Sequence, residues 1–168
     1  MVWHEHSYQR SSKSFFSWFS KFSKNAGYKN RGSDIQFRCE SLKKFIESLD
    51  PNCEISILSQ SAGGRIASLI SDELSIQKIV CLGYPFRGFN RPLEPERYLH
   101  LRTLRTPFLI LQGREDPYGT PEDIAQNFPL SSSIHLEFID TDHEFILPEI
   151  ETNKIIFRVL DFLNLIEK

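Results

Sequence analysis

The chain has no apolar run approaching the roughly 18 residues that a membrane-spanning helix needs, and its N-terminal Met-Val-Trp-His-Glu-His lacks the basic-then-apolar order of a secretory leader. It has no strong charge of one sign. A net charge of -2 argues against a dedicated nucleic-acid binder, so no nucleic-acid partner is expected. Cysteine is scarce: the 3 present, Cys39, Cys53 and Cys81, form no CxxC pair and no zinc spacing. They read as buried, reduced thiols, which fits a cytoplasmic setting. No GxxxxGK[ST] and no full dinucleotide fingerprint occur, which leaves a nucleotide-binding reading weak. His4 and His6 have HxH spacing, but no acidic or cysteine set accompanies them, so a metal-ligand role is not expected of them.

What is present is one domain's worth of chain, 168 residues with an ordinary 40% hydrophobic content. Residues 1–33 are atypical: basic, Ser-rich and aromatic. Val2–Tyr8 reads weakly as a strand, and Phe15, Trp18, Phe19 and Phe22 follow helical spacing. Beyond them, Ser33 or Asp34 can cap a helix whose apolar stripe is Ile35, Cys39, Leu42, Ile46 and Leu49. Strands are expected at Glu54–Leu58, Lys78–Leu82, Phe108–Leu111 and Ile134–Ile139. Helices are expected just after Ser61, from Pro121, and from a Thr152 cap, the last with Ile155, Ile156, Val159, Leu160, Leu163 and Ile166 on its apolar face. Strands alternating with helices predict a mostly parallel sheet covered on both faces.

The chemistry concentrates in Leu58-Ser59-Gln60-Ser61-Ala62-Gly63-Gly64-Arg65, between a strand and a helix. That is the setting of a nucleophile elbow, GxSxG, in which the positions two before and two after the serine must be small. Here they are Ser59 and Gly63. The backbone N–H of Ala62 is the expected oxyanion donor. A serine hydroxyl needs a base, and His143 in Asp140-Thr141-Asp142-His143-Glu144-Phe145 is the candidate. Asp116, in Gly113-Arg114-Glu115-Asp116-Pro117, is the candidate for orienting that imidazole, with Glu115 and Asp142 as rivals. All three candidates follow strand ends, where open α/β sheets carry their sites. Gln60, Arg65 and Tyr84 are expected near a substrate. Arg65 can equally pair with a carboxylate.

Four blocks together resemble one family: Ser-Gln-Ser-Ala-Gly-Gly-Arg-Ile-Ala-Ser, Cys-Leu-Gly-Tyr-Pro-Phe, Leu-Gln-Gly-Arg-Glu-Asp-Pro-Tyr-Gly-Thr and Asp-Thr-Asp-His-Glu-Phe. They resemble the small bacterial α/β-hydrolases related to the hydrolase-like subunit of the NSL histone-acetyltransferase complex, near the dienelactone hydrolases. The resemblance runs from about residue 34 to the end. It implies an α/β-hydrolase fold, an esterase-like activity on a small ester or acyl substrate without metal or cofactor, and Ser61, Asp116 and His143 as the triad. Two departures stand out. Ser59 replaces the family's usual glycine, and the His-Gly loop that supplies a second oxyanion donor is not found. The chain is therefore expected to be N-terminally truncated or rearranged, with Val2–Tyr8 as a second placement for the missing strand. The leading reading is a serine hydrolase. The alternative is a catalytically impaired hydrolase-like module for protein contact.

Overall fold

The computed structural model describes residues 34–52, 54–89, 91–127 and 130–166. The expectations at Val2–Tyr8, Phe15–Phe22, His4, His6 and Cys53 lie outside them.

Helix α1 (Ile35–Glu47) starts where the Asp34 carboxylate accepts the Gln36 N–H at 3.1 Å, as an N-cap does. Strand β1 (Ile55–Gln60) then leads through a tight turn into α2 (Ala62–Ile70). A 3-10 turn at Ser71–Glu73 passes the chain to β2 (Ile76–Leu82). The long connection that follows holds two short 3-10 turns, Pro95–Arg97 and Leu99–Arg102, and reaches β3 (Phe108–Gly113). Helix α3 (Pro121–Asn127), β4 (Ile134–Ile139) and α4 (Glu149–Phe162) complete the order.

Among the described residues the four strands form one sheet in the order β1-β2-β3-β4, every pair parallel. Side chains alternate across a strand, and here both sides are covered. Ile57, Ile79, Cys81, Phe108 and Ile110 join a core with Ile46 of α1 and Ala67 and Ile70 of α2. Leu58, Val80, Leu82, Leu109 and Leu111 join a second core with Ile155 and Val159 of α4. Burial on both faces explains why the strands read as continuous apolar runs rather than alternating ones. No described helix is long and apolar enough to cross a membrane.

Three local expectations are corrected. Helix α4 begins at Glu149 with Pro148 as its cap residue, not at a Thr152 cap. Pro148 has φ -55°, already helical, and Thr152 lies in the first turn with its N–H donated to the Pro148 carbonyl. Ile166 is not on the buried face: the helix ends at Phe162, and Ile166 is exposed. Strand β1 runs two residues past Leu58, to the edge of the elbow.

Candidate active site

Ser61 sits at the junction of β1 and α2 with φ 51° and ψ -127°, a conformation that L-residues avoid. Such strain costs about 1–3 kcal/mol and persists only where surrounding contacts fix it. Here the Ser61 N–H donates to the Leu82 carbonyl at 3.0 Å, and the Ser61 carbonyl accepts the Gly64 N–H at 3.0 Å. A Cβ at Gly63 would lie 3.2 Å from the Ser59 Cβ, so the two flanking positions do face each other. Ser59 fits in place of glycine because it is small and its buried hydroxyl donates to the Val80 carbonyl at 2.8 Å. At Gly64 a Cβ would stand 2.3 Å from the Cys81 sulfur, so α2 can lie this close to β2 only with glycine there. Burial pushes the Cys81 thiol up to about 12, outweighing the lowering influence of the polar groups of Ser59 and Gly64 beside it, and keeps it an unreactive packing group.

Asp116 lies in the turn after β3 and is wholly buried. Its Oδ1 accepts the Tyr118 N–H at 2.8 Å, and its Oδ2 lies 2.8 Å from His143 Nδ1. His143 Nε2 lies 2.9 Å from Ser61 Oγ. A carboxylate can only accept, so it takes the Nδ1–H and leaves Nε2 free to accept the serine proton. The rivals do not reach: Glu115 is exposed, and the exposed Asp142 accepts the Glu144 N–H. The structure thus brings Ser61, His143 and Asp116 into one hydrogen-bonded chain beyond the C-terminal ends of β1, β4 and β3.

The loops that carry them are pinned. Gly113 has the Thr141 and Asp142 carbonyls 2.5 and 2.6 Å from where a Cβ would be, so the exit of β3 runs hard against the histidine loop. Phe145, at φ 54°, buries its ring in the α4-side core two residues after His143. Gly83, at the end of β2, takes φ +64°, and a Cβ there would meet His143 Nδ1 at 2.9 Å and Asp116 Oδ2 at 3.0 Å. Sequence reasoning passed over Gly83. Its only signal was a glycine directly after a buried strand.

The other expected site residues are placed as follows. Ala62 opens α2, and the first N–H groups of a helix have no carbonyl within it to bond. Gln60 donates from its side chain to the His143 carbonyl at 3.4 Å, tying the elbow strand to the histidine loop. Arg65 donates to the Glu96 carbonyl at 3.3 Å, and among the described residues no carboxylate pairs with it. Tyr84 is a correction: its ring is fully buried against Phe86 and Phe108, and its hydroxyl donates to the Arg97 carbonyl at 2.6 Å, so it lines no open site. Burial raises its phenol well above the ordinary range. The ring beside the site belongs to Tyr118, whose centroid is 4.4 Å from that of His143. Among the described residues no group of three or more His, Cys, Asp or Glu is placed to hold a metal ion.

Solved structures share this architecture. A serine hydrolase involved in carbazole degradation superposes with a TM-score of 0.61 at 16% identity, covering 82% of this chain and 74% of its own. A Pyrococcus furiosus esterase gives 0.62 at 17% identity, covering 80% and 65%. An alpha-beta serine hydrolase homologue from Coxiella burnetii gives 0.61 at 20% identity, covering 82% and 62%. The chain therefore spans less than two thirds of the length of the latter two. At such identities the likeness establishes the fold. No curated protein sequence matches the chain. The family model described as an alpha/beta hydrolase domain matches residues 7–155, and the chain belongs to the alpha/beta hydrolase family.

Proposed function

We propose that the protein is a serine hydrolase acting on a small ester or acyl substrate, with Ser61 as nucleophile, His143 as general base and acid, and Asp116 as the group that orients the imidazole. Within its family we group it, on the four sequence blocks, with the small hydrolases related to the NSL-complex subunit. The observation that carries the activity is the pair of short contacts, 2.9 Å from Ser61 to His143 and 2.8 Å from His143 to Asp116, beginning at the strained turn that holds Ser61.

The chemistry follows from that order. His143 Nε2 takes the proton as Ser61 Oγ attacks the carbonyl carbon. Negative charge grows on the carbonyl oxygen, and the Ala62 N–H, in the first turn of α2, is the donor assigned to it. One such donor is worth about two to three orders of magnitude in turnover. The imidazolium formed is held by the buried Asp116 carboxylate and protonates the departing group. Water, deprotonated by His143, then frees the acid from Ser61. The 84–107 connection, where larger relatives would insert a lid, is too short to form a lid domain, which favours small or protruding substrates.

The test is turnover of p-nitrophenyl acetate by the parent, Ser61→Ala and His143→Ala. The parent is expected to release nitrophenolate and both variants to fall to the buffer rate. A Ser61→Ala protein as active as the parent would refute the assignment.

A further inference from the structure

Phe89, on a loop of the connection after β2, is 59% exposed; Phe37 and Phe157 are exposed as well, but Phe89 alone of these stands beside the ring that contacts His143. Arg87 bridges to Leu93 across the loop base. The Glu94 carboxylate accepts the Gly88 N–H at 2.9 Å and pairs with Arg91 and Arg97. Burial works to raise that carboxyl, but its arginine and backbone partners prevail and hold it below the usual carboxylate range. The same loop is laced to the turn carrying Asp116. The Arg87 N–H donates to the Tyr118 carbonyl at 3.0 Å, and the Arg87 guanidinium donates to the Pro117 carbonyl and pairs with Asp123. These contacts hold the backbone before and after Phe89, whose ring lies 5.9 Å from that of Tyr118, which in turn lies 4.4 Å from that of His143.

Three rings therefore run outward from the imidazole: His143, Tyr118, Phe89. We propose that Phe89, with Tyr118 beneath it, is the specificity surface for the leaving group, and that the protein favours esters whose alcohol carries an aromatic ring. The inference rests on the serine-hydrolase reading. In that reaction the Ser61 Oγ–carbonyl carbon bond forms and the bond from that carbon to the alcohol oxygen breaks. The alcohol oxygen leaves with the proton that Nε2 took from Ser61, so it departs in contact with the His143 ring. The substituent on that oxygen can extend toward the ring beside His143, which is that of Tyr118, with the Phe89 ring tilted beyond it. Paired rings contribute beyond the area they bury, so an aryl alcohol gains on this ledge what an alkyl one does not.

The experiment compares kcat/KM for benzyl acetate and methyl acetate, whose alcohols are of nearly equal acidity, so intrinsic reactivity cancels in the ratio. Phe89→Ala is expected to lower the benzyl-to-methyl ratio about three- to tenfold. Phe89→Tyr keeps the ring and is expected to hold the ratio within about twofold. A ratio unchanged in Phe89→Ala overturns the proposal and leaves the hydrolase reading standing. So does a change that appears instead when the ring is moved to the acid side, as in methyl phenylacetate. Absence of turnover and of fluorophosphonate labelling in the parent overturns both.

Discussion

Gly83→Ala places a methyl group against the hinge of the candidate site, and two separate effects follow. Gly83 has φ +64°, and an L-residue held there costs about 1–2 kcal/mol relative to glycine. For a chain of this size each 1 kcal/mol lowers Tm by about 2–4 °C, so the strain alone accounts for about 2–8 °C. The second effect is steric and local. The new carbon would lie 2.9 Å from His143 Nδ1, 3.0 Å from Asp116 Oδ2 and 3.2 Å from His143 Cε1. Carbon contacts settle at about 3.5–4.0 Å, so the ring or the carboxylate must retreat by about half an ångström or more. The two groups are hydrogen-bonded at 2.8 Å, and an apolar carbon pressed on both ends of that bond parts them. A triad that loses its carboxylate's hold on the imidazole tautomer loses about 10⁴ in turnover, which is the ceiling here. Displacement without removal is expected to cost about 10²–10⁴. The assay is ester turnover and fluorophosphonate labelling rate, read beside a thermal melt that shows the variant folded. A folded Gly83→Ala protein with turnover within threefold of the parent would refute the reasoning, because the His143–Asp116 contact would then not govern the reaction.

Three further outcomes are expected. Gly64→Ala should destabilise the protein severely in a denaturant titration, since its Cβ would stand 2.3 Å from the Cys81 sulfur. Adding Cys81→Ala should restore only part, because the Cys81 Cβ is itself 2.7 Å away; full recovery would contradict this packing account. The Cys81 thiol, raised to about 12 by burial, should resist iodoacetamide at pH 8 in the native protein and react only in denaturant, as peptide mass mapping would show. Burial, with a smaller push from Arg65, lowers His100 to about 4 while its Nε2 lies 2.9 Å from Ser68 Oγ. A folded value below the unfolded one means that stability is fully present above about pH 6.5 and is lost as pH falls toward 4, by about 2 kcal/mol after allowing for partial exposure. His100→Gln should flatten that slope, and an unchanged slope would show that another group is responsible.

The fold was legible in the sequence because its sheet is buried on both faces. Runs such as Ile79-Val80-Cys81-Leu82 and Phe108-Leu109-Ile110-Leu111 split alternately between two cores, and each core contributes its half of an unbroken apolar signal. The grouping of Ser61, Asp116 and His143 was legible because each follows a parallel strand, and parallel strands bring their C-terminal ends to one edge. What was not legible depends on direction rather than pattern. Tyr84 follows a strand as a lining residue would, but the left-handed Gly83 before it re-aims the chain and the ring turns into the core. Nothing in the sequence singles out Tyr118 within the turn after Asp116. Its place on the imidazole arises only when the β3 and β4 loops meet. The start of α4 was misplaced because Thr152 is a good cap residue, whereas Pro148 sets helical φ one turn earlier without a side-chain hydrogen bond.

The most direct measurement of the central claim is the mass of the protein after exposure to a fluorophosphonate, followed by mapping of the modified peptide. The account predicts one adduct per chain, carried by Ser61, formed slowly or not at all when His143 is replaced by alanine. An adduct on another serine, or the same labelling rate without the imidazole, would contradict it.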